Sequence, residues 1–521
     1  MHIKSISVRN FRLLACADVS LVASSGLSDE DAQVTTVIVG PDNCGKTSFM
    51  DLFRRFQSPS RFELEDFSRC AQRAFLDAHR AHLEDPEDQG RVRAALPFIE
   101  LRIVVADGTA QDAVLRARFE LAAGKLEALF GGLEPVADDD GAKATFLAEL
   151  RPRVGAAFER TLQVNARRVE WAALERQLAL HFIGAREQLS DLPQRFHARA
   201  GVHLAFVEHP EAHLCPPAQE VFIHELNRVS QMPPRPVQFV VTTRSPRIAN
   251  HAPLTAIRSF RAAGRTRSAT VKDLGATVEG LDREFVHRYL KLTGSELLFA
   301  DHAILVDGTT ERLLLPAMIR REGLSGRHGV LLEVGAAHAQ RFFGLLDFLE
   351  LPTLVVTDID ALDDHHERVP VAAATRTANA AVTDWFADTE ISPGELLSLR
   401  SRHKLAGARR LAYPVPERDG DECGRTFEEA FILANPELFE TELGGTDDLA
   451  LRAAAAARTW TKSAFALFYA IECPQWRVPR YLSEGLQWLR RQQPPAEPPG
   501  SYLRVKVRCV TPLGEETDSI A

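Results

Sequence analysis

No stretch of this chain approaches the ~20 consecutive apolar residues that a bilayer-spanning helix needs, so no membrane partner is expected. Cysteine is present but unorganised. Cys16, Cys44, Cys70, Cys215, Cys423, Cys473 and Cys509 include no C-x-x-C pair, which argues against structural zinc and for a reducing compartment. A basic excess is also missing. The formal net charge is −9, so nucleic acid, if bound, must be held by local patches or through metal ions. The opening MHIKSISVRNF has neither the apolar core of a signal peptide nor the character of a transit peptide. These absences set the expectation of a soluble, cytoplasmic protein.

What is present is an ordinary globular mix, 45% hydrophobic and 26% charged. The 521 residues exceed what one core usually organises, so two or three domains are expected. The sharpest motif is Gly40-Pro41-Asp42-Asn43-Cys44-Gly45-Lys46-Thr47, which fits G-x-x-x-x-G-K-[ST] at every fixed position. An apolar run, Val34 to Val39, precedes it as a strand, and Ser48 to Phe56 follows with helical periodicity. In that setting the glycines let the loop wrap closely, with Asn43 between them. Backbone N–H groups and the helix start at Ser48 face phosphates, Lys46 adds a point charge, and the Thr47 hydroxyl suits Mg²⁺. The bland alternative is a glycine-rich turn.

Before this loop, Ile3, Ser5 and Ser7 alternate with Lys4, Ile6 and Val8, which reads as an edge-like strand. Arg9-Asn10-Phe11-Arg12 leads to a second strand near Leu21, and residues 22–33 form a polar hairpin loop. After it, Phe98 to Val105 and Arg116 to Leu121 read as strands, Asp138-Asp139-Asp140-Gly141 as a solvated turn, and residues 143–180 as helical. Val202 to Val207 is an apolar strand ending in Glu208, then His209-Pro210-Glu211-Ala212-His213-Leu214. Further on comes Phe239-Val240-Val241-Thr242-Thr243-Arg244-Ser245-Pro246, and residues 255–294 read as a connector with a strand and a helix.

In this order, these stretches resemble the ATPase heads of the RecF/SMC branch of the ABC family. The resemblance implies nucleotide bound at Gly40, Asn43, Gly45, Lys46, Thr47 and Ser48. Glu208 would stand in the Walker B position, His209 in that of the catalytic glutamate, and Arg244 in that of the switch histidine. Those three depart from the family's usual Asp, Glu and His. Only Leu189-Ser190-Asp191-Leu192 stands near a signature loop. ATP binding with slow or absent turnover is therefore expected.

The second half restarts the α/β pattern. Ala303 to Val306 ends in Asp307-Gly308-Thr309-Thr310-Glu311, and a helix follows over Arg312 to Arg321. Leu331 to Val334 is a short strand, Phe342 to Leu349 a helix, and Thr353 to Val356 a strand running into Thr357-Asp358-Ile359-Asp360. Alternating strands and helices imply a parallel sheet, where function gathers at the carboxyl ends of strands. On extended backbone Asp358 and Asp360 point to one side. With Asp307 and Glu311 they form a carboxylate cluster that a divalent cation, Mg²⁺ or Mn²⁺, relieves. Turn and N-cap acids are the structural alternative. Asp363-Asp364-His365-His366-Glu367 reads as a polar loop rather than further ligands.

This block resembles the TOPRIM domain, with Asp307 in place of the usual first Glu. Thr377-Ala378-Asn379-Ala380, Arg425 to Ala430, Thr461 to Ala466 and Pro479 to Leu486 extend the likeness to the OLD (overcoming lysogenization defect) family over nearly the whole chain. The resemblance implies an α/β fold: an ABC-type P-loop ATPase domain, residues 1–290, then a Rossmann-like TOPRIM domain with helical C-terminal elements, 291–490. A proline-rich segment and tail follow, 491–521. It implies Glu428 as a further metal carboxylate beside Asp307, Glu311, Asp358 and Asp360. Lys462 is placed near the scissile phosphate, with Asp307 and Asp358 sharing the catalysis. The expected function is an ATP-regulated, metal-dependent DNA endonuclease acting on DNA as a homodimer or larger. The family includes bacterial anti-phage proteins such as the nuclease subunit of the Gabija system, so a defence partner encoded nearby is also implied. The alternative is a nucleotide-sensing DNA scaffold. Topoisomerase chemistry ranks last. It needs a tyrosine beside the acids, and Tyr289, Tyr413, Tyr469, Tyr481 and Tyr502 lie in no such motif.

Overall fold

A computed structural model describes residues 2–21, 35–57, 62–106, 112–171, 178–184, 201–230, 237–263, 268–276, 284, 288, 295–324, 328–335, 338–440, 448–492, 509–510 and 516–517. The proposed loop 22–33, Val34, Leu189 to Leu192, Tyr289 and Tyr502 lie outside the described residues. So does nearly all of the helix expected before Gly294. The chain divides into two compact units: residues 1–305 with 328–353 and 406–409, and residues 306–327 with 354–405 and 410–521. No helix among the described residues is long and apolar enough to cross a membrane.

The first sheet is antiparallel, with the strand order Leu14–Ser20, His2–Phe11, Ile99–Ala106, Ala113–Leu121, Phe158–Val164, Arg167–Arg168. Two sequence expectations are corrected here. The strand His2–Phe11 is flanked on both sides and is not an edge. Its register shifts between Ile3 and Ser5, so Ile3, Ile6 and Val8 are all buried despite their odd spacing. Residues 143–180 are not one helix. The helix Asp140–Ala157, N-capped by Asp139, stops at Phe158, where apolar residues switch from helical spacing to strand pairing against Ala113–Leu121.

The second sheet runs Ser268–Asp273, Ile257–Ala263, Thr35–Val39, Val237–Thr242, Val202–Glu208, Leu178–Ile183. All pairs are parallel except the hairpin between Ile257–Ala263 and Ser268–Asp273. Thr35–Val39 is buried throughout, as a central parallel strand must be. Ile257–Ala263 and Ser268–Asp273, expected within a connector, pair into this sheet.

The helix Lys46–Gln57 is bound to the unit through its apolar face. Phe53 packs on Phe206 with ring centroids 4.6 Å apart, and Phe49 packs on Phe260 at 5.8 Å. The Arg12 turn grips the same helix by its guanidinium, which reaches Asp51 at 2.8 Å and Asp66 at 3.0 Å. Burying each such phenylalanine stabilises by about 1.5–3 kcal/mol, and it fixes where the helix begins.

A third sheet has the order Gly329–Glu333, His302–Val306, Thr353–Val356, Arg409–Ala412, Leu405–Ala406. Thr353 N donates to Ala408 O and Thr357 N to Ala412 O, each 3.0 Å. The partners advance together, as in a parallel pair. The helix Arg480–Gln492 lies against this sheet with Gly485 tight on Leu354, where a Cβ would meet Leu354 Cδ1 at 2.8 Å.

Candidate functional sites: a phosphate loop and a carboxylate cluster

The phosphate loop connects the buried strand Thr35–Val39 to the helix Lys46–Gln57. Gly40 has φ +144°, and a Cβ there would lie 2.0 Å from Phe260 O, so glycine is required. Gly45, φ +99°, and Asn43, φ +56°, complete the wrap. The Lys46 ammonium folds back onto the loop, donating to Gly40 O at 2.5 Å and Pro41 O at 2.7 Å. Burial pulls its pKa below the usual lysine value. Thr47 is exposed at the helix start, with Ser48 half-buried beside it.

The carboxyl ends of the neighbouring strands sit level with this loop, since Thr242 pairs with both Glu208 and Ile38. Glu208 Oε2 accepts from Arg54 at 3.0 Å. His209 adopts a left-handed backbone, φ +47°, and its Nδ1 lies 3.2 Å from Glu211 Oε1. Glu211 is the centre of this arrangement. It accepts from Thr243 Oγ1 at 2.7 Å and from Arg244 N at 2.8 Å. Burial pushes its carboxyl up, but the bonds from His209, Thr243 and Arg244 outweigh that and hold it below the ordinary range. The Arg244 guanidinium reaches back to Asp42 of the loop at 3.1 Å. In the sequence Glu211 stands only within the stretch His209 to Leu214, and nothing local marks the partners Arg54, Thr243 and Asp42. The signal for Glu211 was a second acid three residues after the first on a turn.

The second site lies in the other unit, at the ends of the strands His302–Val306 and Thr353–Val356. Asp307 Oδ2 accepts from the Thr357 hydroxyl and from Asp358 N at 3.2 Å. Thr357 in turn accepts from Asn379 Nδ2 at 2.8 Å, which directs its proton toward Asp307. Asn379 also caps the helix Ala380–Phe386 and so ties the strand end to it. Asp358 Oδ1 accepts from Phe427 N at 2.8 Å, at the N-terminus of the helix Phe427–Ala434. That contact and the bond from Ile359 N to Arg425 O bring Glu428 to the cluster. Thr310 Oγ1 donates to Glu428 Oε1 at 2.6 Å. Lys462 begins the helix Lys462–Leu467, with its ammonium 3.9 Å from Glu428 Oε1 and its side chain 61% exposed. A Cβ on Gly308 would sit 3.3 Å from Glu311 Oε2 and 3.8 Å from Lys462 Nζ, so the glycine keeps this approach open.

Their spacing predicts that Asp358 and Asp360 face one way on extended backbone, and they do not. The strand ends at Val356, and Asp360 is left-handed, φ +49°, with Oδ2 3.4 Å from Asn379 Nδ2. Its charge nevertheless helps to raise the Asp307 and Asp358 carboxyls. His365 and His366 belong to an exposed turn closed by bonds from His365 N and Glu367 N to Asp363 Oδ1. Tyr481 lies in no nucleophile motif of the sequence, yet its buried hydroxyl has no hydrogen-bond partner and feels the charges of Asp358, Glu311, Glu428 and Asp307.

The electrostatics are those of crowded acids. Burial first, then neighbouring carboxylates, push Asp307 up to about 6 and Glu311 up to about 7, and raise Asp358 well above the usual range. Burial alone would lower Lys462, but Glu428, Glu311, Asp358 and Asp307 raise it. Asp307 Oδ1 and Glu311 Oε2 are buried with no hydrogen-bond donor. Such oxygens suit a cation, and an all-oxygen donor set suits Mg²⁺ or Mn²⁺. As they stand, no group of three or more His, Cys, Asp or Glu side chains among the described residues is arranged to hold a metal ion. The Thr357 hydroxyl, the Thr310 hydroxyl and Phe427 N instead each hold one carboxylate oxygen of Asp307, Glu428 and Asp358.

Comparison with known proteins matches residues 1–104 to the AAA ATPase domain family and residues 298–360 to the overcoming lysogenization defect protein-like TOPRIM domain. The first range contains Gly40 to Ser48; the second contains Asp307, Glu311, Asp358 and Asp360. A curated relative, Endonuclease GajA of Bacillus cereus (strain HuB5-5), is 24% identical over 347 residues, covering 56% of this chain and 49% of the relative. The chain thus spans about half the length of the relative it matches.

Proposed function

We propose that this chain, which joins an AAA ATPase domain to an OLD-like TOPRIM domain, is a nucleotide-regulated, divalent-metal-dependent DNA endonuclease. The observation that carries the reading is the charge imbalance of the second site. Buried carboxylates crowd there, two of their oxygens have no donor, and the facing ammonium is Lys462. Asp307, Glu311, Asp358, Asp360 and Glu428 are the residues that would hold divalent metal. Mg²⁺ or Mn²⁺ there would supply Lewis acidity and lower the pKa of the attacking water.

The rest is done by the protein's own groups. Thr357 and the Phe427 amide fix the Asp307 and Asp358 carboxylates, so their free oxygens have one direction. Lys462, half free of the cluster, meets the scissile phosphate and offsets its charge. Water oxygen bonds to phosphorus as the bond to the leaving sugar oxygen breaks.

In the head, nucleotide acts as a signal more than as fuel. Glu208 is paired with Arg54, and a histidine, His209, bonded to Glu211, stands where the resemblance places the catalytic glutamate. The same pairs favour the alternative of a nucleotide-sensing DNA scaffold, should the carboxylate cluster not cut. The working unit is a homodimer or larger, and anti-phage defence is the setting that the family resemblance supports.

The test is supercoiled plasmid incubated with purified protein and Mg²⁺ or Mn²⁺, with and without ATP, beside Asp358→Ala. Metal-dependent cutting that falls roughly a thousandfold or more in the variant is the expected result. No cutting under any of these conditions overturns the nuclease reading in favour of the scaffold.

A further inference from the structure

Residues 396–416 contain no aspartate or glutamate, although these make up 71 of the chain's 521 residues. The same stretch carries Arg400, Arg402, His403, Lys404, Arg409 and Arg410. The structure sorts them into two groups. Lys404 is buried, its ammonium 4.1 Å over the Tyr413 ring. Arg410 is buried too, donating to Ser401 Oγ at 2.8 Å and lying 3.5 Å from Glu484. Arg409 is bidentate on Asp347 at 2.7 Å. Arg400, Arg402 and His403 are exposed on the turn Ser401–Lys404. Arg402 Nε reaches His403 Nε2 at 3.1 Å, and neither arginine has a carboxylate in ion-pair range among the described residues.

We propose that this turn grips the phosphate backbone of DNA on one side of the scissile bond. The inference rests on the endonuclease reading and locates the local basic patch that a chain of net charge −9 needs. Three observations converge on a polyanion. Two guanidiniums stand in solvent with no carboxylate in ion-pair range among the described residues. Around them residues 396–416 hold no acid to neutralise them, while Arg410 beneath is offset by Glu484 at 3.5 Å. The placement is also right. Tyr413 OH donates to Leu396 O at 2.6 Å and Lys404 covers the Tyr413 ring, so the turn runs beside the end of the strand Arg409–Ala412. That end is level with Asp358, because Thr357 N bonds to Ala412 O. At ~4.8 Å per strand, the edge strand lies ~10 Å from the strand Thr353–Val356 that leads to Asp358. That distance is about three base-pair rises of a duplex. Bare carboxylates repel DNA, and a cationic turn at this distance counters that.

The test is binding of a short fluorescent duplex to the full chain across a salt series, in an Asp358→Ala background so that the duplex is not consumed. Arg400→Ala with Arg402→Ala is compared with the double lysine variant. The alanine pair should weaken binding at low salt at least tenfold. It should also flatten the slope of log affinity against log salt by about 2, close to 0.9 per lost phosphate contact. The lysine pair should keep the slope, because a point charge still displaces counterions. With Asp358 intact, the alanine pair should raise KM and leave kcat unchanged. An unaltered slope and affinity overturn the proposal, leave the nuclease reading standing, and point to an acidic protein as the turn's occupant. A flattened slope in a protein that never cuts overturns the nuclease reading alone.

Discussion

At the phosphate loop the charged groups have partners within their own unit: Lys46 on loop carbonyls, Glu208 on Arg54, Arg244 on Asp42, and Glu211 on Thr243 and Arg244. At the carboxylate cluster like charges face one another, and Asp307 Oδ1 and Glu311 Oε2 have no donor. An acid that has gained donors titrates low, and an acid that has gained only burial and other acids titrates high. Glu211 and Glu311 are therefore opposite cases in one chain. At the first site the charges are matched by partners in the same unit. At the second, among the described residues, the cation facing the acids is Lys462, 3.9 Å from Glu428.

The comparison makes its strongest statement about pH. Glu311 and Asp307 titrate near 7 and 6 in the folded chain, above their unfolded values. Their contribution to stability is present below about pH 4 and is lost as pH rises through 6 to 7. Removing the charge should therefore help a metal-free protein at alkaline pH. Glu311→Gln in EDTA is expected to melt later than wild type at pH 8, by on the order of 1–3 kcal/mol, with the gain vanishing near pH 5. Thermal melts across that range check it. A variant that melts earlier at pH 8 breaks the comparison.

Glu211 should behave with the opposite sign and a smaller effect. Its folded pKa is depressed, so its contribution is present at neutral pH and lost as pH falls through the folded value. Glu211→Gln is expected to cost about 1–2 kcal/mol at pH 7, with the deficit shrinking on acidification. Loosening Arg244 in that variant should also weaken binding of a fluorescent ATP analogue.

The sequence made visible what local pattern controls. Buried strands before Gly40, Glu208, Asp307 and Asp358 announce themselves as apolar runs. The P-loop glycines follow from a backbone that only glycine tolerates. What local pattern does not control stayed hidden. The shift between Ile3 and Ser5 is a matter of pairing with distant strands, and Phe158–Val164 is a strand because Ala113–Leu121 is available to pair with it. Thr357 and Thr310 look like ordinary threonines until the fold brings Asp307 and Glu428 to them. Tyr481 lies more than a hundred residues from the nearest D-x-D acid in sequence, and only the packing of its helix on Leu354 explains its presence near the cluster.

The account's central claim is that the carboxylate cluster is built for divalent cations, and it can be tested without any nuclease assay. The measurement is the melting temperature of the full chain at pH 8, nucleotide-free, in EDTA and then in a Mn²⁺ or Mg²⁺ series, for wild type and Asp358→Ala. A ligand that binds the folded form alone raises stability with its concentration, by about 2.7 kcal/mol at a hundred times Kd. The account predicts a concentration-dependent rise in wild type that the variant largely loses. A wild type indifferent to both metals, or a variant that responds equally, would contradict it.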